Sequence, residues 1–428
     1  MVAVSSSRRL LLAVVGVGGI LFFGLALLRS ELFSQSRRPP APAPLSPQEE
    51  KVRKAMADDL TAFSPTHRLR LKNSRAVEGI IVEETNTTIT LKQSFGPQNY
   101  LSVPYSKSEI LSVEALPVLV ITAEDVKLKM EFPGLKFFKR PPYSVVTDES
   151  YFLVRNAMDA LEDLYRQFYS TFADWVGPAQ SPLAVHIVFF GDQEAFRRYA
   201  AKEMPLMESA SGFYSIEKSR LVLFNQTASE DLKELQGKIA NLRRKWLATP
   251  GGIPPAIEAE LRLLESRGLE YTYMVIRHEA AHQLFHSYGV LKSRFRISWL
   301  EEGMAAYCET PTIGKPNPYR IQDLKALVAE NKTIPWRDLV QFQSARGFVA
   351  GEPTWVKAAY SQSWLLVYSL MSSHRENFFN VLRQWPNDQD FNARSPEPVS
   401  SRLAQSLGVP WPTLEQEWDF LLKQLTEN

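Results

Sequence analysis

The residues best suited to chemistry are His278, Glu279 and His282, which form the pattern His-Glu-x-x-His. Two histidines at this spacing lie one turn apart on one face of a helix, so both imidazoles can reach one Zn²⁺ at about 2.0 to 2.1 Å. Glu279 projects beside them and can take a proton from zinc-bound water, whose pKa the metal lowers from about 16 to roughly 7. The pattern predicts hydrolysis with Glu279 as general base. The alternative is an exposed helix whose His and Glu side chains are merely polar.

A third ligand must come from another element, and residues 299–308 are predicted to form a second helix that carries it. Glu301 and Glu302 both offer a carboxylate there, so the residues alone leave two candidates. The segment from Trp299 to Tyr307, with its Trp-Leu-x-Glu-Gly-x-Ala-x-Tyr pattern, resembles the gluzincin metallopeptidases when it follows His-Glu-x-x-His. The resemblance implies that Glu302 is the third ligand, that the chain binds one Zn²⁺, and that the two motif helices are neighbours.

Other residues near the motifs have more ordinary interpretations. His286 continues the spacing from His282, but it lies about 11 Å along the helix axis from His278, too far for both to bind one ion. We therefore expect His286 to have a structural or supporting role. Packing roles are expected for four residues of the second motif: Trp299, Met304, Ala306 and Cys308.

Residues 359–367 resemble the downstream helix of many gluzincins, and this helix includes Tyr360. The same resemblance implies that Tyr360 donates a hydrogen bond to the oxyanion of the tetrahedral intermediate. The alternative is that Tyr360 packs with Trp364 and Val367 in the core, since such stripes at helical spacing are common.

Before the zinc helix, residues 211–215 and 220–224 are predicted to form either a β-hairpin or a turn that leads into a strand. In the gluzincins the strand before the zinc helix lies at the edge of the cleft, where its backbone can pair with an extended peptide. A plain core strand is the alternative. Charged residues 228–246 are predicted to form a surface helix, which the Pro/Gly-rich residues 250–255 separate from the next one.

The N-terminal residues predict a membrane location. Residues 10–28 carry no charge, and 19 residues at 1.5 Å each span roughly the 30 Å hydrocarbon core. Arg8 and Arg9 precede this run, so the positive-inside rule favours a cytoplasmic N-terminus. We expect an uncleaved single-pass anchor rather than a cleaved signal peptide, with the rest of the chain outside the cytoplasm, in a bacterial cell envelope. The single cysteine excludes a disulfide framework.

Residues 31–65 are predicted to be a Pro-rich linker, and residues 66–116 a small β-barrel. The barrel is predicted from four apolar runs at residues 80–82, 88–91, 100–103 and 110–113. Over about fifty residues this segment resembles Sm-like barrels. RNA binding is not expected, because the net charge is only +2 and basic and aromatic residues do not alternate. A protein partner is the more natural expectation for this segment.

Residues 117–428 are predicted to form the catalytic domain. Strands are expected near residues 118–122, 143–146 and 184–190, with an amphipathic helix at residues 151–172. Two helices at residues 403–407 and 414–422 resemble the closing segment of bacterial peptidase-MA-like gluzincin domains, so the resemblance extends over about residues 140–425. It implies an α+β, zincin-like domain whose C-terminal half is mostly helical.

Together these features predict a membrane-anchored zinc metallopeptidase that acts on a peptide or protein and does not bind nucleic acid. Two alternatives remain at this point. One is a non-catalytic envelope scaffold with a structural or degenerate zinc site, although a structural zinc normally has four protein ligands and this motif supplies three. The other is a hydrolase of non-peptide amides that uses the same chemistry.

Overall fold

The computed structural model describes residues 45–73, 75–96, 99–176, 184–204, 210–248, 252–288, 297–341, 352–385 and 398–427. The chain divides into residues 1–48 and a compact unit of residues 49–428. Two five-stranded sheets and many helices make up the described part, so the predicted α+β class is confirmed.

The first sheet is antiparallel and follows helix α1 (Pro47–Phe63), which lies in the segment predicted to be a linker. Its strands are β1 (His67–Leu71), β2 (Ala76–Glu84), β3 (Thr88–Gly96), β4 (Asn99–Ser106) and β5 (Ile110–Ala115), in the order β4-β3-β2-β1-β5. The four predicted apolar runs fall within β2 to β5. Leu69, Leu71, Ile89 and Leu91 form a small buried core that belongs to this sheet alone.

The second sheet is mixed and has the order β6-β7-β8-β10-β9. Its strands are β6 (Lys136–Arg140), β7 (Tyr143–Thr147), β8 (Val185–Phe190), β9 (Gly212–Ser215) and β10 (Arg220–Phe224). Strand β8 is parallel to β7 and β10, and the predicted hairpin pairs β9 with β10. Alternate residues face two different cores, because helices cover both faces. These helices include α2 (Ala123–Glu131), α3 (Tyr151–Val176) and α4 (Gln193–Glu203).

The strand predicted at residues 118–122 is wrong, because this segment is extended but pairs with no strand in the described residues. Leu119 and Ile121 pack against one core, whereas Val118 and Val120 are 91% and 68% exposed. The side chains therefore alternate as in a strand. Alternation does not create a strand without a neighbouring backbone to accept its hydrogen bonds.

The C-terminal half is helical, as predicted. Its helices are α5 (Glu230–Leu247), α6 (Pro255–Ser287), α7 (Ser298–Tyr307), α8 (Pro318–Ala329), α9 (Trp336–Gln341), α10 (Pro353–Ser373), α11 (Arg375–Gln384), α12 (Val399–Leu407) and α13 (Trp411–Glu427). Helix α6 packs against α3, α7, β9 and β10, and α7 packs closely against α10. The largest core surrounds these contacts and buries Trp299, Trp364 and Trp418 completely.

Among the residues that the structure describes, no helix has the length and apolar character needed to cross a bilayer. The membrane segment predicted at residues 10–28 lies outside these residues.

Candidate metal centre and its cleft

Three helices bring the predicted site residues together. Helix α6 carries both motif histidines, α7 carries Glu302, and α10 carries Tyr360. Gly303 permits the close contact between α7 and α10, because a Cβ atom there would lie 2.5 Å from the carbonyl oxygen of Ser363. The Glu-Gly pair of the second motif therefore places the carboxylate and allows the tight helix packing behind it.

The side-chain atoms of His278, His282 and Glu302 meet at one point. The Nε2 atoms of the two histidines are 3.1 Å apart. Glu302 Oε2 lies 3.1 Å from Nε2 of His278 and 3.4 Å from Nε2 of His282. Within the described part of the chain, these three residues form the group that can hold a metal ion, and it includes neither Glu301 nor His286.

This donor set fits Zn²⁺. Ligand atoms about 2.0 to 2.2 Å from a tetrahedral ion lie roughly 3.3 to 3.6 Å from each other, and the three separations are close to that range. Two imidazoles and one carboxylate are also ligands that zinc prefers. The geometry matches three corners of a tetrahedron, and no fourth residue from the described part of the chain joins the group.

Glu309, which the sequence analysis did not identify, orients His278. The Nδ1–H group of His278 donates to Glu309 Oε1 at 2.9 Å, and since a carboxylate only accepts, Nδ1 carries the hydrogen. Asn317 Nδ2 and Arg320 Nε donate to Glu309 Oε2 at 2.6 and 2.9 Å, and Arg320 also bonds the other oxygen. A buried carboxylate held this way fixes the ring with Nε2 facing His282 and Glu302.

The charges of the site are strongly coupled. Burial opposes charge on His278, but hydrogen bonds to Glu302 and Glu309 outweigh it and raise the pKa of this imidazole to about 10. Burial also opposes charge on Glu302, yet the two histidines hold the pKa of its carboxyl group well below the usual range. Glu302 is therefore an anion facing two nitrogen donors, as a metal ligand must be.

Glu279 lies beside this group and lines the same cavity as His278. Burial raises the pKa of its carboxyl group above the usual value, against the opposing effect of the two histidines. The backbone N–H of Tyr214, in edge strand β9, donates a hydrogen bond to the Glu279 carboxylate. Gly212 on the same strand allows the helix to approach, since a Cβ atom there would lie 3.2 Å from Glu279 Cγ.

Tyr360 belongs to the site and not only to the core. Its ring centroid lies 5.8 Å from that of His278, and its hydroxyl donates to Glu302. Burial, with the nearby negative charges of Glu302 and Glu279, raises the pKa of this hydroxyl well above its usual value. Arg320 lies over the ring, 5.3 Å from its centroid. Tyr360 therefore remains a protonated hydrogen-bond donor, while Trp364 on the same helix is in the core.

His286 is not among the residues whose ligand atoms meet, and its ring contacts the ring of Tyr214, with centroids 5.9 Å apart. The packing roles are confirmed, since all four residues are buried: Trp299, Met304, Ala306 and Cys308.

A cavity of about 290 Å³ lies beside the metal-binding group, and His278 is the member of that group that lines it. His278, Glu279 and Tyr360 line one part of it, and residues of α6 and α10, among them Met274 and Val356, line an apolar part. Residues 210–212, at the start of β9, form one border. Among the described strands, β9 is at the edge of its sheet.

The comparisons with known proteins add one similarity. Residues 273–391 match the family described as "Protein of unknown function (DUF1570)". The match includes both motifs and Tyr360. No curated protein matches the chain.

Proposed function

We propose that the protein is a zinc-dependent metallopeptidase that binds one Zn²⁺ per chain through His278, His282 and Glu302. The observation that carries the proposal is the meeting of these donor atoms, 3.1 to 3.4 Å apart, beside a cavity that His278 and Glu279 line. A catalytic zinc has three protein ligands and one open position, whereas a structural zinc is closed by four.

The zinc ion, when bound, supplies a water molecule whose pKa is about 7 and polarises the carbonyl group under attack. Glu279 accepts the proton that this water loses and delivers it to the leaving amine. The pKa of the Glu279 carboxyl group is raised by burial, and this direction favours both steps, because a stronger base takes a proton from water more readily. The Tyr214 N–H keeps the carboxylate in place between them.

Tyr360 is proposed to stabilise the oxyanion. Its hydroxyl bonds Glu302 in this structure, and its side chain lines the cavity in which a substrate oxygen would lie. Arg320 behind the ring and Glu309 beneath His278 hold this part of the site together.

The cleft supports a peptide as the substrate. Strand β9 borders the cavity and has one edge without a partner strand in the described residues, so an extended peptide can pair with its backbone. This arrangement, with the two motifs on neighbouring helices, supports the finer proposal of a gluzincin-type, zincin-like domain. We further propose that residues 10–28 anchor the protein in a membrane with the catalytic domain outside the cytoplasm.

The ligand assignment is tested by comparing Glu302→Gln with its neighbour Glu301→Gln. Removal of an outer partner of a metal ligand typically weakens metal binding roughly 10- to 100-fold, and loss of a ligand should cost more. We expect zinc affinity, measured by competition with a chromogenic chelator, to fall by more than about 100-fold in Glu302→Gln and to stay unchanged in Glu301→Gln. The reverse order would transfer the ligand role to Glu301.

A further inference from the structure

A second cavity lies between the first sheet and helix α3. It measures about 540 Å³, and its walls include β2 and β3 on one side and Tyr151, Arg155 and Asp159 on the other. A smaller cavity of about 220 Å³ adjoins it, since Arg68 and Arg155 line both. Pockets for small ligands measure roughly 300 to 1,000 Å³, so the larger cavity alone is of suitable size.

The larger cavity has an excess of positive charge. Four arginines, one lysine and two carboxylates line it. Both carboxylates are already bonded to arginines: Arg68 Nε donates to Glu78 at 2.8 Å, and Arg140 donates to Asp159. The two carboxylates thus balance Arg68 and Arg140.

Arg75 and Arg155 provide much of the remaining charge. Neither forms an ion pair with another residue in the described parts of the chain. The Nε atom of Arg155 is buried and finds no acceptor among those residues. Its guanidinium lies 5.7 Å from the ring centroid of Phe152, a contact that leaves the fork of N–H groups available. An unmet buried donor in a cationic cavity is a site for an anion.

The smaller cavity is mostly apolar. Leu119, Phe138, Val154 and Met158 line it, directly beside the arginines. A ligand that fills both cavities therefore has a negative group and an apolar group next to each other.

We propose that the paired cavities bind a carboxylate carried on an apolar group, with the carboxylate beside Arg75 and Arg155 and the apolar group against Phe138 and Met158. Two sources share this chemistry: a fatty acid and the C-terminal apolar residue of a polypeptide. The two cavities share no lining residue with the metal-site cleft, so the proposal does not depend on hydrolytic activity.

The test is isothermal titration of the full chain in a nonionic detergent, in the Glu279→Gln background so that no peptide is consumed. The probes are octanoate and the acetylated peptide Gly-Ser-Gly-Leu with a free C-terminal carboxylate, each beside an uncharged match, octanol and the peptide amide. We expect at least one acid to bind, and its uncharged match to bind at least tenfold more weakly. Binding of octanoate alone would assign the site to a fatty acid, and binding of the peptide alone would assign it to a chain terminus. Binding of both would show that the site recognises the carboxylate on either apolar group. If neither acid binds, or if the uncharged matches bind equally well, the proposal is overturned.

The variants Arg75→Gln and Arg155→Gln locate the binding. Each should weaken binding of the acid at least tenfold, whereas Arg166→Gln on α3, whose side chain is 74% exposed, should leave it unchanged. Arg75 is exposed, so its variant should fold even if Arg155→Gln does not. Binding that is the same in the parent and in the folded arginine variants would place the ligand elsewhere and reject the site.

Discussion

Tyr360 has the most testable single-residue role, because the proposal gives its hydroxyl a task that its ring does not perform. Tyr360→Phe keeps the ring beside His278 and removes only the donor. We expect kcat for a peptide substrate to fall roughly 10²- to 10³-fold, as with loss of other oxyanion donors, while KM and zinc content change little. Steady-state kinetics measures this, with Tyr368→Phe on the same helix as the control. An unchanged kcat would return Tyr360 to a packing role.

Some residues of the site could be predicted from the sequence, and others could not. His278, Glu279 and His282 are recognisable because one helix turn fixes their relative positions. Glu309 is 31 residues from His278 and meets it only through the fold, so no local spacing indicates it. The sequence shows only that an acidic residue follows soon after the second motif. This is too common a feature to identify Glu309 as the partner of His278.

The close packing of helix α7 against α10, next to Glu302, leads to a prediction about stability and zinc binding. Adding a methyl group in Gly303→Ala would press against the Ser363 carbonyl and against Val367, whose Cγ2 atom would be 2.8 Å away. Helices α7 and α10 must then separate, and we expect a loss of about 1 to 3 kcal/mol in the free energy of unfolding together with weaker zinc binding. Urea unfolding and chelator competition measure the two effects.

The control for this variant is Gly237→Ala in α5, where a Cβ atom would meet nothing within 4 Å. That change should leave zinc binding intact. It should raise the free energy of unfolding by about 0.5 to 1 kcal/mol, because alanine favours a helix more than glycine does. Equal stability of the two variants would show that the close contact at Gly303 is not needed.

The other elements were predicted correctly where the pattern of apolar residues within the element was sufficient to identify it. Apolar spacing predicted the long helix α3 and the hairpin of β9 and β10, whereas the helix at α10 was predicted from the gluzincin resemblance. It failed at residues 118–122, because pairing depends on a strand that is distant in sequence. Helix α1 was not predicted, because it directly follows a Pro-rich stretch and was assigned to the linker. Met56 and Leu60 of this helix are buried in a core.

For the molecule as a whole, the first sheet can be removed in principle. It has its own small core, and the backbone N–H of Leu116 donates to the carbonyl of Thr66 at 2.8 Å, so the two ends of the segment lie side by side. We expect replacement of residues 67–115 by a short Gly/Ser linker to preserve zinc content and most peptidase activity, and to abolish binding of the acid probes. Activity and calorimetry on one sample test both. Loss of all activity in a folded protein would show that the sheet is integral to catalysis.

The most direct test of the central proposal measures zinc content and the hydrolysis of a quenched-peptide library by the full chain, beside Glu279→Gln and the control Glu260→Gln. Glu260 is exposed on the same helix, far from the cleft. The proposal predicts one zinc per chain in all three proteins, cleavage by the parent and by Glu260→Gln, and a loss of turnover in Glu279→Gln of at least about 10²- to 10⁴-fold. Absence of zinc from the parent, or undiminished cleavage by Glu279→Gln, would contradict it.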